Sequence, residues 1–291
     1  MIKMALDLGV EPEWGPRHAV VHELSTLGAF VAKVLSCPID PQRFEAAAKQ
    51  LLAKAEKKLG WAYEALDPHG EMGFIRYSIW SDVLVCPSCK TEVSYWDAAV
   101  RWDPIRLVDS FTCPACEKAL AVNACERASE TVNDPFLGVP IERKKRVLAQ
   151  IYGKSKTGNW NRKPSQLDEQ VYARATNTLL PTSAPNEAVF WGDLYRAGYH
   201  KGITHFHHFY TSRNFLAIAT LWELTNEFSE DLRDSLRLLI LSYNGSHSTL
   251  MTRVVVKEGA VNLFSPAPKR ACSISVASRL KRTSLRALSE K

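Results

Sequence analysis

The spacing of its cysteines constrains this chain more than any other feature. Cys86-Pro-Ser-Cys89 is followed, after 23 intervening residues, by Cys113-Pro-Ala-Cys116. Two residues between paired cysteines let one tight turn aim both thiolates at a single ion, and the proline shapes that turn. Two such turns facing each other close a tetrahedral four-sulfur shell with metal–sulfur bonds of about 2.3 Å. Zn2+ suits that shell, and four protein thiolates leave no open position for substrate, so the ion is expected to be structural. The other reading is free thiols or a redox pair; two matched pairs at ribbon spacing favour metal. Cys125 is a spare ligand or a buried thiol, and Cys37 and Cys272 belong to no pattern.

A ribbon accounts for a small part of 291 residues. The rest, at 46% hydrophobic, is enough for one large domain or two small ones. The net charge of +6 lies entirely in residues 266–291, because the remainder holds 30 basic and 30 acidic groups. A basic tail is therefore supported, and a globally nucleic-acid-binding charge is not. Residues 1–10 lack the pattern of a secretory signal, and no apolar run approaches the roughly 20 residues of a membrane-spanning helix. With four of seven cysteines in metal spacing, a reducing, cytoplasmic setting is expected.

Residues 17–23 read as a short buried strand. Ser25 is placed to cap a helix carrying Leu27, Phe30, Val31 and Val34, which Pro38 must end near Cys37. Asp40 caps a second helix with Pro41 at its first position, running to Gly60. Residues 74–85 read as a strand entering the first cysteine pair. Gly153, Gly158, Pro164, Pro181 and Pro185 make residues 141–190 an irregular excursion, and helices return over 215–227 and 232–243.

Trp96, Arg101, Trp102 and Phe111, between the cysteine pairs, serve either the ribbon's own core or base stacking. His205, His207 and His208 form a His-x-His-His cluster beside Tyr210 and Arg213, with no carboxylate at ligand spacing within it. Asp134-Pro-Phe-Leu-Gly138 reads as a turn. Arg213 and Arg253 are candidate phosphate contacts, though most such arginines are surface residues or salt-bridged.

Several segments, taken in order, resemble one family: bacterial and archaeal S-adenosylmethionine-dependent DNA methyltransferases with an inserted zinc ribbon. They are Arg17-His-Ala-Val-Val-His-Glu-Leu-Ser25, Pro38-Ile-Asp40, Tyr77-Ser-Ile-Trp-Ser-Asp-Val83 and the two cysteine pairs. Gly202 to Asn214 and Ser246 to Arg253 complete the set. The resemblance implies an α/β fold, a partial Rossmann-like methyltransferase core interrupted by the four-cysteine ribbon. It implies Glu23 as the acid that binds the ribose of S-adenosylmethionine, with DNA as partner and an exocyclic base nitrogen as methyl acceptor.

The implied layout is a partial cofactor-binding core over 1–75, the ribbon over 76–130, an irregular insertion over 131–200, helices returning to the core over 201–265, and a tail over 266–291. The sequence departs from the family in carrying neither an Asp-Pro-Pro-aromatic loop nor a glycine-rich cofactor loop. Resemblance stops near Ser265. Codons can be chosen for the tail residues that, read one base earlier, give the family's Thr-Gly-Ala-Gln and Glu-Lys-Asn, so the tail is expected to be out of frame and disordered. The expected activity alone is little or none. A nucleic-acid-binding ribbon module and a structural subunit of a split methyltransferase, its catalytic loop on a partner chain, are the alternatives.

Overall fold

The computed structural model describes residues 7–9, 15, 20–102, 105–189, 202–248 and 272–275, with the backbone alone for 102, 105, 244–247 and 272–275. Residues 1–39 and 40–291 form two compact units, each described here by itself.

In the first unit Ser25 Oγ accepts the Gly28 N–H at 3.1 Å and starts α1 (Thr26–Ser36), which stops at Cys37 before Pro38. Both ends are where the sequence signals put them. The buried strand expected over 17–23 is not formed in its described part. Residues 20–23 lack strand pairing, and Val20 is 84% exposed. Residues 17–19 lie outside the described residues. A strand needs a neighbour for its N–H and C=O groups, and none pairs with 20–23 among the described residues. No residue of α1 is buried, although its apolar residues fall at helical spacing.

In the second unit Asp40 Oδ1 accepts the Arg43 N–H at 2.9 Å, Pro41 opens α2 (Pro41–Leu59), and Gly60 ends it. A 3-10 turn leads to β1 (Glu64–Leu66) and the long β2 (Met72–Val85). The ribbon follows as β3 (Glu92–Ser94), α3 (Tyr95–Ala99), β4 (Val100–Trp102), β5 (Ile105–Leu107), β6 (Ser110–Thr112), β7 (Ala119–Ala121) and β8 (Glu126–Arg127). The hairpin β9 (Ser129–Asp134) and β10 (Val139–Lys144) comes next, then β11 (Arg146–Ser155) and β12 (Gly158–Arg162). Helices α4 (Gln166–Asn177), α5 (Ser212–Leu224) and α6 (Glu230–His247) precede a last strand, β13 (Cys272–Ser275).

Strand β2 organises this unit. Its start pairs with β1, its middle with β11 on one side and β13 on the other, and its end with β3 and β8. The strand therefore crosses the expected 75/76 boundary without a break and ties the ribbon to the sheet. Every strand pairing among the described residues is antiparallel. The parallel βαβ pairing of a Rossmann-like core is not found among them; what they form is a mixed helix-and-strand fold around an antiparallel sheet.

Two further expectations need correction. Residues 141–190 hold most of β10, all of β11 and β12, and α4, rather than an irregular excursion. The tail is not wholly without structure, since Cys272–Ser275 pairs with Ser78–Ser81 as β13; the remainder of 266–291 lies outside the described residues.

Apolar burial fixes the packing. Ala47, Ala48 and Leu51 of α2 meet Leu221 and Leu224 of α5 and Leu236 and Ile240 of α6. Each fully buried leucine here contributes about 1.5–3 kcal/mol. Ala65, Ile75, Ile151 and Trp160 form the core of the sheet. Among the described residues no helix is long and apolar enough to cross a membrane.

Candidate metal centre and the cleft beside Asp134

The two cysteine turns have the same build. In the first, Cys86 N–H donates to Thr91 C=O and Lys90 N–H donates to Cys86 C=O; in the second, Cys113 N–H donates to Lys118 C=O and Glu117 N–H to Cys113 C=O. Lys90 and Glu117, one residue beyond the second cysteine of each pair, both have left-handed backbone at φ 62° and 58°. A side chain there is strained, and its recurrence at equivalent positions marks a turn shaped for its sulfurs. Cys86 Sγ lies 3.8 Å from Cys116 Sγ, and Cys89 Sγ 3.6 Å from Cys113 Sγ. A disulfide would need about 2.05 Å, whereas a tetrahedron with arms of about 2.3 Å has edges of about 3.8 Å. All four sulfurs lie within 4.8 Å of one another.

The electrostatics also call for a cation. The hydroxyl and backbone N–H of Thr91 favour the Cys89 thiolate and hold its pKa at about 6. The Lys118 N–H favours the Cys116 thiolate too, yet burial and the three neighbouring sulfurs push that thiol up to about 11. A bound cation would favour the Cys116 thiolate that its neighbouring sulfurs oppose. The four residues named from spacing are thus brought together as a group that could hold a metal ion.

The ribbon's aromatic residues serve its core. Trp96 is 2% exposed and Phe111 7%, packed with Ile79 and with Leu84 respectively. Ser81 fixes the start of α3, its hydroxyl accepting the Trp96 N–H at 2.9 Å. Arg101 turns back on the backbone carbonyls of Asp97 and Val100. The Trp102 side chain lies outside the described residues. Cys125 is buried in the same core with its thiol toward Ala121 C=O at 3.6 Å, apart from the four-sulfur set.

A second cluster was not legible in the sequence. Asp134, in the β9–β10 turn, accepts the Phe136 and Leu137 N–H groups on Oδ1 at 2.8 and 3.0 Å. With Gly138 at φ 71° this is the tight turn expected of Asp134-Pro-Phe-Leu-Gly138. Its Oδ2 meets His207 Nε2 at 2.8 Å and His208 Nε2 at 2.6 Å. The carboxylate that the histidine cluster lacks locally comes from 74 residues away. Burial works to raise the Asp134 pKa, but His208, His207 and the two backbone N–H groups overcome it and hold the carboxyl well below the usual range.

Two histidines and a carboxylate are a metal-binding set by residue type, but the proton positions oppose that use. His208 Nδ1 accepts the N–H groups of Thr204 and His205 at 3.1 and 3.3 Å, so its own proton sits on Nε2 and points at Asp134. A metal on Nε2 would move that proton to Nδ1, against two donors. The cluster is a hydrogen-bonded hub in which a neutral His208 caps its own turn. Burial lowers the His208 pKa further.

The hub lies in the wall of a cleft of about 530 Å3 between the β9–β10 hairpin, β11, α4 and the start of α5. The remaining predicted residues lie elsewhere. Arg213, a candidate phosphate contact, is buried in the interior, donating to Ser78 Oγ at 2.9 Å and Ala62 C=O at 3.3 Å and lying over the Tyr63 ring. Its place on the inward face of α5 decides this. Arg253 lies outside the described residues. Glu23 is exposed, with Oε1 accepting the Ser25 N–H at 2.9 Å at the entry to α1. No family model, curated protein or solved structure matches the chain.

Proposed function

We propose that Cys86, Cys89, Cys113 and Cys116 hold a structural Zn2+ ion, and that the chain is the ribbon-bearing part of an S-adenosylmethionine-dependent DNA methyltransferase. The sulfur tetrahedron carries the first half of this reading. Four thiolates suit Zn2+ and leave no position for a substrate, so the ion stabilises the ribbon and takes no part in transfer.

The second half rests on the ordered segments from Arg17 to Arg253 that resemble the family. In it Glu23 binds the ribose of the cofactor and the acceptor is an exocyclic amino group of a base. The chain carries no Asp-Pro-Pro-aromatic loop to hold that group and no glycine-rich loop for the cofactor. Those parts, and the strands that complete a Rossmann-like core, come from a partner chain, and this chain alone does not methylate. The alternative of a base-stacking ribbon loses Trp96 and Phe111 to the core.

The test is metal analysis of the purified chain, followed by transfer of labelled methyl groups to DNA. One zinc per chain, no transfer alone, and transfer on mixing with the product of an adjacent reading frame are expected. Zinc without transfer in any mixture would leave the ribbon standing and sink the methyltransferase reading.

A further inference from the structure

We propose that the cleft beside Asp134 binds a small aromatic carboxylate, its carboxylate on the Arg146 guanidinium and the Lys144 ammonium and its ring against the half-buried aromatic wall. This inference is independent of the methyltransferase reading. At about 530 Å3 the cleft falls within the usual range for small-molecule sites, roughly 300–1,000 Å3. Phe136, Leu148, Tyr172, Leu180 and Tyr210 line it, and each is only partly buried, so apolar surface is left for a ligand to cover. A wall rich in aromatic side chains takes the face of a flat ring.

Cations fix the other end of the ligand. Lys144 ends β10 and Arg146 begins β11, and both line the cleft, while Lys145 between them pairs with Glu92 of the ribbon. Arg146 donates from Nε to Asp82 Oδ1 at 3.2 Å; its side chain is 31% exposed, and Nη1 and Nη2 have no hydrogen-bond partner among the described residues. Asp82 is shared, since Arg127 Nε lies 3.9 Å from its other oxygen. One carboxylate thus faces two guanidiniums, and a positive charge is left over. Lys144 makes no ion pair among the described residues. The register sets this charge beside the wall: Arg146 faces Asp82 and Leu148 faces Trp80, two residues on along the same ladder, or roughly 7 Å. A ring with a short carboxylate arm covers that span.

Shape and charge favour a carboxylate over a phosphate. The free edge of a planar guanidinium meets a planar carboxylate through two parallel hydrogen bonds. A phosphate monoester brings up to about two charges, and the lining does not match them: Arg143 is already held by Glu130, and Glu169 also lines the cleft.

The experiment is calorimetric titration of the full zinc-loaded chain with phenylacetate, with phenylacetamide, which keeps the shape without the charge, with acetate, which lacks the ring, and with phenyl phosphate. Phenylacetate is expected to bind one site, the amide and acetate each about tenfold more weakly, and phenyl phosphate no more tightly than phenylacetate, one lost charge-assisted hydrogen bond being worth about a factor of ten. Arg146→Lys, which keeps the charge but loses the fork, should weaken phenylacetate about tenfold, and Lys144→Gln about threefold with an unchanged melting temperature. Lys145→Gln, on the side of Glu92, should leave binding as it is. Absence of phenylacetate binding at millimolar concentration, equal binding of the amide, undiminished binding by both Arg146→Lys and Lys144→Gln, or tighter binding of phenyl phosphate would each overturn the proposal.

Discussion

Asp134 and His208 stand 74 residues apart in the chain and meet at 2.6 Å, carboxylate oxygen to imidazole Nε2. The contact joins the β9–β10 turn to the segment that leads into α5. Because His208 Nδ1 simultaneously accepts backbone N–H groups from Thr204 and His205, one ring fixes two pieces of loop.

Asp134→Ala removes the acceptor from four donors at once, with the carboxylate only 3% exposed. Leaving buried donors unsatisfied costs about 1–3 kcal/mol for each that water cannot reach. We expect a loss of about 3–5 kcal/mol, measured by urea denaturation. A loss below about 1 kcal/mol would show that water readily replaces the carboxylate.

The same contact sets an acid limit. His208 is buried and neutral, so the folded chain binds its proton less readily than the unfolded chain does. Stability is then full above the unfolded value of about 6.5 and falls as pH drops from there toward the lower folded value. Asp134, whose carboxyl is held low, contributes stability above about 3.9 that is lost as pH falls further through its folded value. Denaturation curves between pH 8 and pH 3 should therefore show a decline in two stages. His208→Asn, whose amide oxygen can take the Nδ1 role, should remove the first stage and keep the second.

How much of this was legible in the sequence depended on range. Ser25, Asp40, Pro41 and Gly60 act on their own helices within one turn, and each does what its type implies. The cysteine pairs were equally plain, because each turn is local and only their meeting is distant. The stretch 141–190 misled because its punctuation has a different meaning in place. Gly158 turns the β11–β12 hairpin at φ 124°, Pro164 precedes the N-cap Ser165, and Gly153 sits inside a strand. The Asp134 hub needed knowledge of which loops pack together, and no spacing rule holds that.

Cys113→Ser should abolish metal retention, because three thiolates hold the ion far less tightly than four. Structural zinc of this kind supplies about 10–16 kcal/mol of apparent free energy near neutral pH. The packing of Leu84, Phe111 and Val122 around the site should go with it, read as loss of near-ultraviolet dichroism and of one zinc by metal analysis. Cys125→Ser separates ligand from bystander: it should keep the zinc at full stoichiometry, since its sulfur faces Ala121 C=O. Loss of zinc in that variant would overturn the assignment of the four ligands.

The last prediction concerns why a glycine stands in the middle of β11. A Cβ on Gly153 would lie 2.0 Å from Trp160 Cζ2, on the facing residue of β12. The indole occupies the space a side chain would need, so the glycine is fixed by its neighbour and not by its backbone angles. Gly153→Ala should cost about 1–3 kcal/mol, the usual penalty for overpacking. Trp160→Leu costs burial by itself but vacates that space. The double variant should then be more stable than the sum of the single losses predicts, by about 0.5–3 kcal/mol. Simple additivity in thermal denaturation would mean that the two residues do not compete for one volume, and that the strand tolerates a side chain at 153.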